Sequence, residues 1–137
     1  MSYDLMVFEK TNAPATKKEF MAWYEKQVEW GEEHDYDTVR VTSVALQNWF
    51  MEMKETFPPM NGEYAPDPKL LDADENLERH TADYSIGRDM IYAAFAWPVA
   101  DEAYERMRCL AKKHGVGFFD VSAENGDIIL PDGTRIV

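Results

Sequence analysis

The chain has 137 residues, a formal net charge of −12 and an aromatic content of 13%. This size and this aromatic content fit one folded domain with a substantial core and exclude an intrinsically disordered chain. The charge disfavours binding to nucleic-acid phosphate or to an anionic membrane, because no cluster of Lys and Arg opposes it.

The start of the chain and its cysteine content bear on the compartment. Residues 1–9 lack a basic leader followed by a long apolar run, and no apolar run approaches the roughly 18 residues of a membrane span. Cys109 is the only cysteine, so the chain forms no internal disulfide, which fits a reducing environment. The sequence therefore predicts a cytoplasmic protein without membrane association.

A strand and a helix are predicted first. Residues 3–8 form a short apolar run typical of a buried strand. Thr16 and Glu19 match a capping box, in which each side chain accepts a hydrogen bond from a free amide at a helix start. Gly31 is the predicted end of this first helix.

The clearest helical signal follows a polar connection. Thr42 or Ser43 caps this second helix, and the double proline at 58–59 ends it, because proline cannot donate to the helical hydrogen bonds. From 58 to about 82 no periodicity is sustained, which predicts a long, acidic, proline-containing loop. The apolar residues of the second helix recur at helical spacing: Leu46, Trp49, Phe50, Met53 and Phe57.

The segment from Asp83 to Ala96 predicts a hairpin at the centre of the fold. Its first half is polar and contains Gly87 and Arg88, which is typical of a short edge strand and a tight turn. From Met90 onward every side chain is apolar or aromatic. Both faces of this strand must therefore be covered.

A helix and a second hairpin complete the chain. The helix is predicted from Val99 to His114, with acidic residues in its first turn and a glycine at 115 as a left-handed cap. Residues 116–121 and 128–130 predict two strands, joined by a two-residue turn at Asn125 and Gly126.

The predicted order is strand, helix, helix, strand, strand, helix, strand, strand, in a single domain spanning 1–137. Right-handed crossovers place the first and third strands side by side in the middle, with all three helices on one face. We therefore predict an α+β, antiparallel, ferredoxin-like sandwich. A mixed sheet with helices on both faces is the alternative, and a homodimer through the open face would cover the third strand equally well.

Three residues are candidates for binding a ligand in a cavity between the sheet and the helices: Tyr84, Arg88 and His114. The planar guanidinium of Arg88 suits a carboxylate or a phosphate. An ion pair at the turn explains Arg88 equally well, and packing at the helix end explains His114. No catalytic residue, metal site or cofactor is predicted.

Acidic residues concentrate in two runs, at 25–37 and at 63–83. A run of charge is usually a solvated face. The more specific interpretation is that these acids form a surface that binds a basic protein, because opposite charge accelerates association. The residues predicted for this surface are Glu29, Glu32, Glu33, Asp35 and Asp37.

Several stretches resemble a family of small bacterial proteins of unassigned function. They are the opening YDLMVF at 3–8, the end of the second helix at 57–59, residues 84–88 and the closing AKKHGVGFFDV at 111–121. The resemblance implies an architecture and a bacterial cytoplasmic setting, and it implies no activity and no catalytic residue.

The sequence leaves two functional hypotheses beside that of a plain homodimer whose open sheet face self-associates. The first is a non-enzymatic, acidic interaction module of the inhibitor or immunity type, which neutralises a basic partner. The second is a small-molecule-binding protein or an enzyme with a pocket between the sheet and the helices.

Overall fold

A computed structural model describes residues 1–137 as a five-stranded antiparallel sheet with helices packed on it. The chain is therefore α+β, as predicted, and none of its helices combines the length and the apolar character needed to cross a bilayer. The strands are β1 Tyr3–Phe8, β2 Asp83–Ile86, β3 Met90–Phe95, β4 Gly117–Phe119 and β5 Ile128–Ile129. The helices are α1 Lys17–Gln27, α2 Val44–Thr56, α3 Pro68–Ala73, α4 Glu75–His80 and α5 Ala100–His114.

The strands are ordered β2-β3-β1-β4-β5, so β1 is the central strand. The predicted adjacency of the first and third strands is confirmed, because Tyr3 lies opposite Phe95 and Phe8 lies opposite Met90. The four residues from Leu5 to Phe8 are each 0% exposed. Since successive side chains of a strand point to opposite faces, both faces of β1 are shielded from water.

One face of the sheet is covered by α2 and α5. The predicted apolar stripe of α2 is buried on this face and packs with alternate residues of β1 and β3. The indole N–H of Trp49 donates to the carbonyl of Met107 in α5 at 3.5 Å, which links the two helices. The strand residues that face them are Leu5, Val7, Ile91, Ala93 and Phe95.

The opposite face is covered by α1, so the prediction that all three helices share one face is wrong for this helix. Phe20 is 0% exposed, and its ring centroid lies 4.9 Å from that of Phe8 and 5.4 Å from that of Phe119. The helical spacing of α1 shows that one side is buried, but not which face of the sheet it meets. The open face that suggested a homodimer is thus covered within the chain.

The end of α1 also differs from the prediction. The helix ends at Gln27, and the residue with a left-handed backbone is Trp30 (φ 54°), not Gly31. The Trp30 ring lies edge-on to the rings of Tyr36 at 5.1 Å and Tyr92 at 5.9 Å. These contacts hold Trp30 in a conformation that costs a residue with a side chain about 1–2 kcal/mol.

The connection between β4 and β5 is longer than the predicted two-residue turn at Asn125 and Gly126. Phe119 pairs with Ile128, so residues 120–127 form the connection. The amide of Ser122 donates to the carbonyl of Asp4 at 3.1 Å, and the Ser122 hydroxyl accepts from the amide of Asp4 at 2.7 Å. These long-range bonds hold the loop at the start of β1, and no local turn motif reveals them.

The predicted long loop at 58–82 contains the short helices α3 and α4. The Asp67 side chain accepts a hydrogen bond from the amide of Lys69, and the Asp74 side chain accepts from the amides of Asn76 and Leu77. Asp is a favoured residue at the N-cap because it satisfies amides that lack a helical partner. The two short helices therefore begin at capping aspartates, although the segment has no sustained spacing of apolar residues.

Replacing Phe20 tests whether α1 covers the second face. We expect Phe20→Ala to lower the free energy of unfolding by about 3–5 kcal/mol, the usual loss for a buried phenylalanine. Lys18→Ala, at an exposed position of the same helix, is the control and should change it by no more than about 0.5 kcal/mol. Urea denaturation measures both, and a loss below about 1 kcal/mol for Phe20→Ala would contradict this packing.

Candidate functional site

The first acidic run is fastened to the turn between β2 and β3. Glu32 Oε1 accepts a hydrogen bond from the backbone N–H of Arg88 at 3.0 Å, and Arg88 Nε lies 4.0 Å from the same oxygen. The Thr42 hydroxyl donates to the Arg88 carbonyl at 3.1 Å, and the carbonyl of Tyr36 accepts from the amide of Ile86 at 2.8 Å. The connection from α1 to α2 therefore lies along the outer edge of β2.

His34 lies inside this acidic segment between two hydrogen-bond acceptors. Its Nε2 lies 2.6 Å from Glu32 Oε1, and its Nδ1 lies next to the carbonyl of Asp35. A neutral imidazole has a single N–H, so two acceptors favour the doubly protonated ring. The Asp35 carbonyl and the Glu32 carboxylate accordingly raise the pKa of His34 above its ordinary value.

The structure brings the two acidic runs together in one shallow hollow of about 370 Å³. The Asp37 carbonyl oxygen lies 3.1 Å from the position that a Cβ on Gly62 would occupy, so the two segments meet closely. Gly62 also has a φ of +88°, which favours glycine. We call this feature the acidic hollow, and its lining residues are Asp35, Asp37, Thr38, Arg40, Gly62 and Glu63.

The five acids predicted to bind a partner have different environments. Glu32 is turned inward to Arg88 and His34. Asp35 Oδ1 accepts from the Thr38 hydroxyl at 2.8 Å and from the Asp37 amide at 3.0 Å, and these bonds lower the pKa of Asp35. The other acids are exposed and lie in no ion pair within the chain: Glu29, Glu33 and Asp37.

Two partly exposed aromatic residues adjoin the two acidic segments. Trp30 is 37% exposed and packs on Tyr36, and Tyr64 is 38% exposed with its ring 6.1 Å from that of Phe50. Sequence reasoning did not include Trp30 or Tyr64 among the residues that bind a partner, and it placed Glu63 in the second acidic run without predicting that it approaches the first. The only available signal was their position beside the acidic runs, because the contact between the two runs is tertiary.

The three residues predicted to bind a ligand lie in separate environments. Tyr84 is 4% exposed, its hydroxyl donates to the carbonyl of Phe57 at 2.8 Å, and burial raises the pKa of this phenol well above its ordinary value. The Arg88 side chain is 63% exposed at the turn. His114 ends α5, with Nε2 2.9 Å from Glu52 Oε1. The structure does not bring these groups together around one ligand position.

All three histidines of the chain are paired with a glutamate. His80 lies 2.8 Å from Glu102 and 2.7 Å from the carbonyl of Asn76, so it connects α4 to α5. Burial alone would lower the pKa of His80, but these two hydrogen bonds raise it above its ordinary value. The two acceptors again favour the doubly protonated ring.

No group of three or more His, Cys, Asp or Glu side chains is arranged to hold a metal ion. Comparisons of the chain with protein-family models, with curated proteins and with solved structures find no match. The resemblance to a family of small bacterial proteins therefore stays a prediction.

Glu32→Ala should release the acidic segment from the hairpin turn. We expect a loss of about 1.5 kcal/mol in the free energy of unfolding, the lower end for hydrogen bonds to a charged group, because Arg88 is exposed. Glu33→Ala, at the exposed neighbouring position, is the matched control. Urea denaturation and hydrogen exchange of the Arg88 amide measure the effect. Equal stability and equal exchange in the two variants would contradict the role of Glu32.

The His80–Glu102 pair should make stability depend on pH. Because the pKa of His80 is raised in the folded protein, its contribution is fully present below the unfolded value of about 6.5 and is lost as pH rises through the folded value. The difference in unfolding free energy between the wild type and His80→Gln should therefore shrink from about pH 5.5 to about pH 8.5.

Glu102→Gln tests the cause of this shift by NMR titration of His80. Removal of the carboxylate should lower the pKa of His80, because one of the two raising hydrogen bonds is weakened. Glu105→Gln removes an exposed carboxylate from the same helix without touching His80 and is the control. An unchanged His80 pKa in Glu102→Gln would exclude this explanation.

Proposed function

We propose that the protein is a non-enzymatic interaction module that binds a basic protein through the acidic hollow and the exposed acids Glu29 and Glu33. The observation that carries this proposal is that Glu63, the first acid of the second run, lies with Asp35 and Asp37 of the first run around one concave surface. Asp35, Asp37 and Glu63 form no ion pair within the chain, so their charge is available to a partner.

The charge balance supports a basic partner. The chain has 26 acidic and 14 basic residues, and the only basic residue lining the acidic hollow is Arg40. Opposite charge steers two proteins toward each other and speeds their association. Salt screens such attraction beyond about 8 Å at physiological ionic strength, so the interaction should weaken as salt is added.

The adjoining aromatic residues support a protein partner over a merely solvated face. Trp and Tyr often dominate the energy of protein interfaces, because a large ring buries much area with few rotatable bonds. Trp30 and Tyr64 are each held by another aromatic ring and still expose more than a third of their surface. Each therefore offers a partner an exposed aromatic ring next in sequence to acidic residues, and Lys54 Nζ lies 5.1 Å from the centroid of the Tyr64 ring.

The alternative, a small-molecule site built from Tyr84, Arg88 and His114, has less support. The Tyr84 hydroxyl is already bonded to the Phe57 carbonyl, and His114 is bonded to Glu52. A ligand would have to break both contacts and would still meet Arg88 at a separate turn. The acidic surface needs no such rearrangement.

We further propose that this module uses a ferredoxin-like plan in a bacterial cytoplasm. The strand order β2-β3-β1-β4, with β1 and β3 in the middle and α5 between β3 and β4, supports the plan, and β5 extends it. The presence of a single cysteine fits a reducing compartment.

The test compares two triple variants with the wild type. The surface variant combines Glu33→Gln, Asp37→Asn and Glu63→Gln. The control combines Glu55→Gln, Asp101→Asn and Glu124→Gln, at exposed positions outside both acidic runs and outside the acidic hollow. Each variant changes the net charge from −12 to −9, because three carboxylates are removed. Both use the same residue types, so only the location of the charge differs.

Tagged wild type and variants are incubated with extract of the native host at low and at high salt, and bound proteins are quantified by mass spectrometry. We expect a basic protein that is retained by the wild type and the control, lost from the surface variant and released by salt. Measurement with the purified partner should then show a slower association rate for the surface variant. Equal retention by both variants would refute the proposal.

A further inference from the structure

A cleft of about 270 Å³ lies between α5 and the C-terminal part of the chain. Its floor is apolar and comes from buried side chains of α5, β4, β5 and the residue before β4. Leu130, Pro131 and Gly133 complete the lining after β5. The floor residues are Ala111, Val116, Phe118 and Ile129.

Two cations of α5 also line this cleft. Arg108 and Lys112 are one helical turn apart, and no carboxylate lies within 4.0 Å of either. Arg106 and Lys113, in contrast, both pair with Glu52 of α2. An acidic chain thus leaves two positive side chains beside an apolar floor, and the guanidinium of Arg108 also lies over the Tyr104 ring, 5.8 Å from its centroid.

We propose that this cleft binds a small amphipathic carboxylate. Its apolar body would lie on the floor, and its carboxylate would meet Arg108 and Lys112. The guanidinium fork of Arg108 matches the two oxygens of a carboxylate, and an ammonium adds a point charge. Asp132 also lines the cleft, which disfavours a ligand with a second negative charge. A single carboxylate on an apolar body fits this distribution.

The size of the cleft limits the ligand. A volume of about 270 Å³ corresponds to roughly nine water molecules in the liquid. Small-molecule sites usually measure about 300–1,000 Å³, so this cleft lies just below that range and suits only a small ligand. Octanoate is a suitable probe because it combines one carboxylate with a short apolar chain.

This cleft shares no residue with the acidic hollow. The inference therefore does not rest on the proposed function, and either can fail without the other. A carboxylate bound beside Arg108 and Lys112 would give the protein a second, small-molecule ligand.

The only cysteine of the chain gives a direct measurement of occupancy. Cys109 is exposed and lines the cleft, so a bound ligand should shield its thiol. The rate of alkylation by iodoacetamide, a neutral reagent, is measured with increasing octanoate. We expect saturable slowing by octanoate, weaker slowing by octan-1-ol, and none by acetate or octylammonium at the same concentrations. Amide NMR signals of Val116 and Ile129 should shift over the same octanoate range.

Charge variants test the proposed contacts. Arg108→Gln and Lys112→Gln should each weaken octanoate binding by about 1.4-fold to fivefold, the range for an ion pair near the surface. Lys18→Gln, an exposed residue of α1 on the other face of the sheet, makes the same charge change and should leave binding unaltered. The ratio of alkylation rates with and without octanoate is compared, so a changed thiol reactivity cancels.

Three results would overturn the inference. Absence of both alkylation protection and NMR shifts would exclude the site. Equal protection by octan-1-ol would remove the role of the carboxylate. An equal loss of affinity in Lys18→Gln and Lys112→Gln would show that only the net charge of the protein matters.

Discussion

The structure depends on a central strand that cannot expose either of its faces to water. The residues from Leu5 to Phe8 are fully buried, and β3 beside them is apolar along most of both rows. Two layers of helix are therefore required, and α1 takes one face while α2 and α5 take the other. Because α1 and α2 are consecutive, the chain between them must pass around an edge of the sheet. The acidic segment makes this passage along β2, and Glu32 and Tyr36 bond it to the hairpin.

Much of the fold could be predicted because the signals are local. The stripe of α2, the run of β1 and the glycine cap of α5 each depend on neighbouring residues, and all three are confirmed. The face covered by α1 could not be predicted, because Phe20 contacts Phe8 and Phe119, which are far from it in the sequence. The length of the loop after β4 could not be predicted for the same reason. The hydrogen bond that holds this loop joins Ser122 to Asp4, which is far from it in the sequence.

The candidate sites were less predictable than the fold. Charge runs are visible in a sequence, so the acids of the first run could be named, but their contact with Glu63 depends on how the chain returns after α2. The hydroxyl of Tyr84 could bind a ligand, and only the structure shows that it donates a hydrogen bond to the Phe57 carbonyl. The cleft beside α5 gives no sequence signal, because its floor comes from several segments.

The distribution of charge follows from the same packing. A helix C-terminus favours cations, so Lys112 and Lys113 in the last turn of α5 have a structural reason of their own, and Arg106 and Arg108 lie earlier in the same helix. Packing against α2 then divides them, because Glu52 meets Lys113, His114 and, at 4.0 Å, Arg106. Arg108 and Lys112 are left on the other side with no carboxylate within ion-pair distance. On the acidic side, Glu32 is the carboxylate that pairs with both His34 and Arg88. The acids that line the hollow form no ion pair within the chain. The ion pairs within the chain thus leave unpaired acids around the acidic hollow and unpaired cations beside the cleft at α5. A chain with an overall charge of −12 therefore has one surface rich in free carboxylates and a separate one with two free cations.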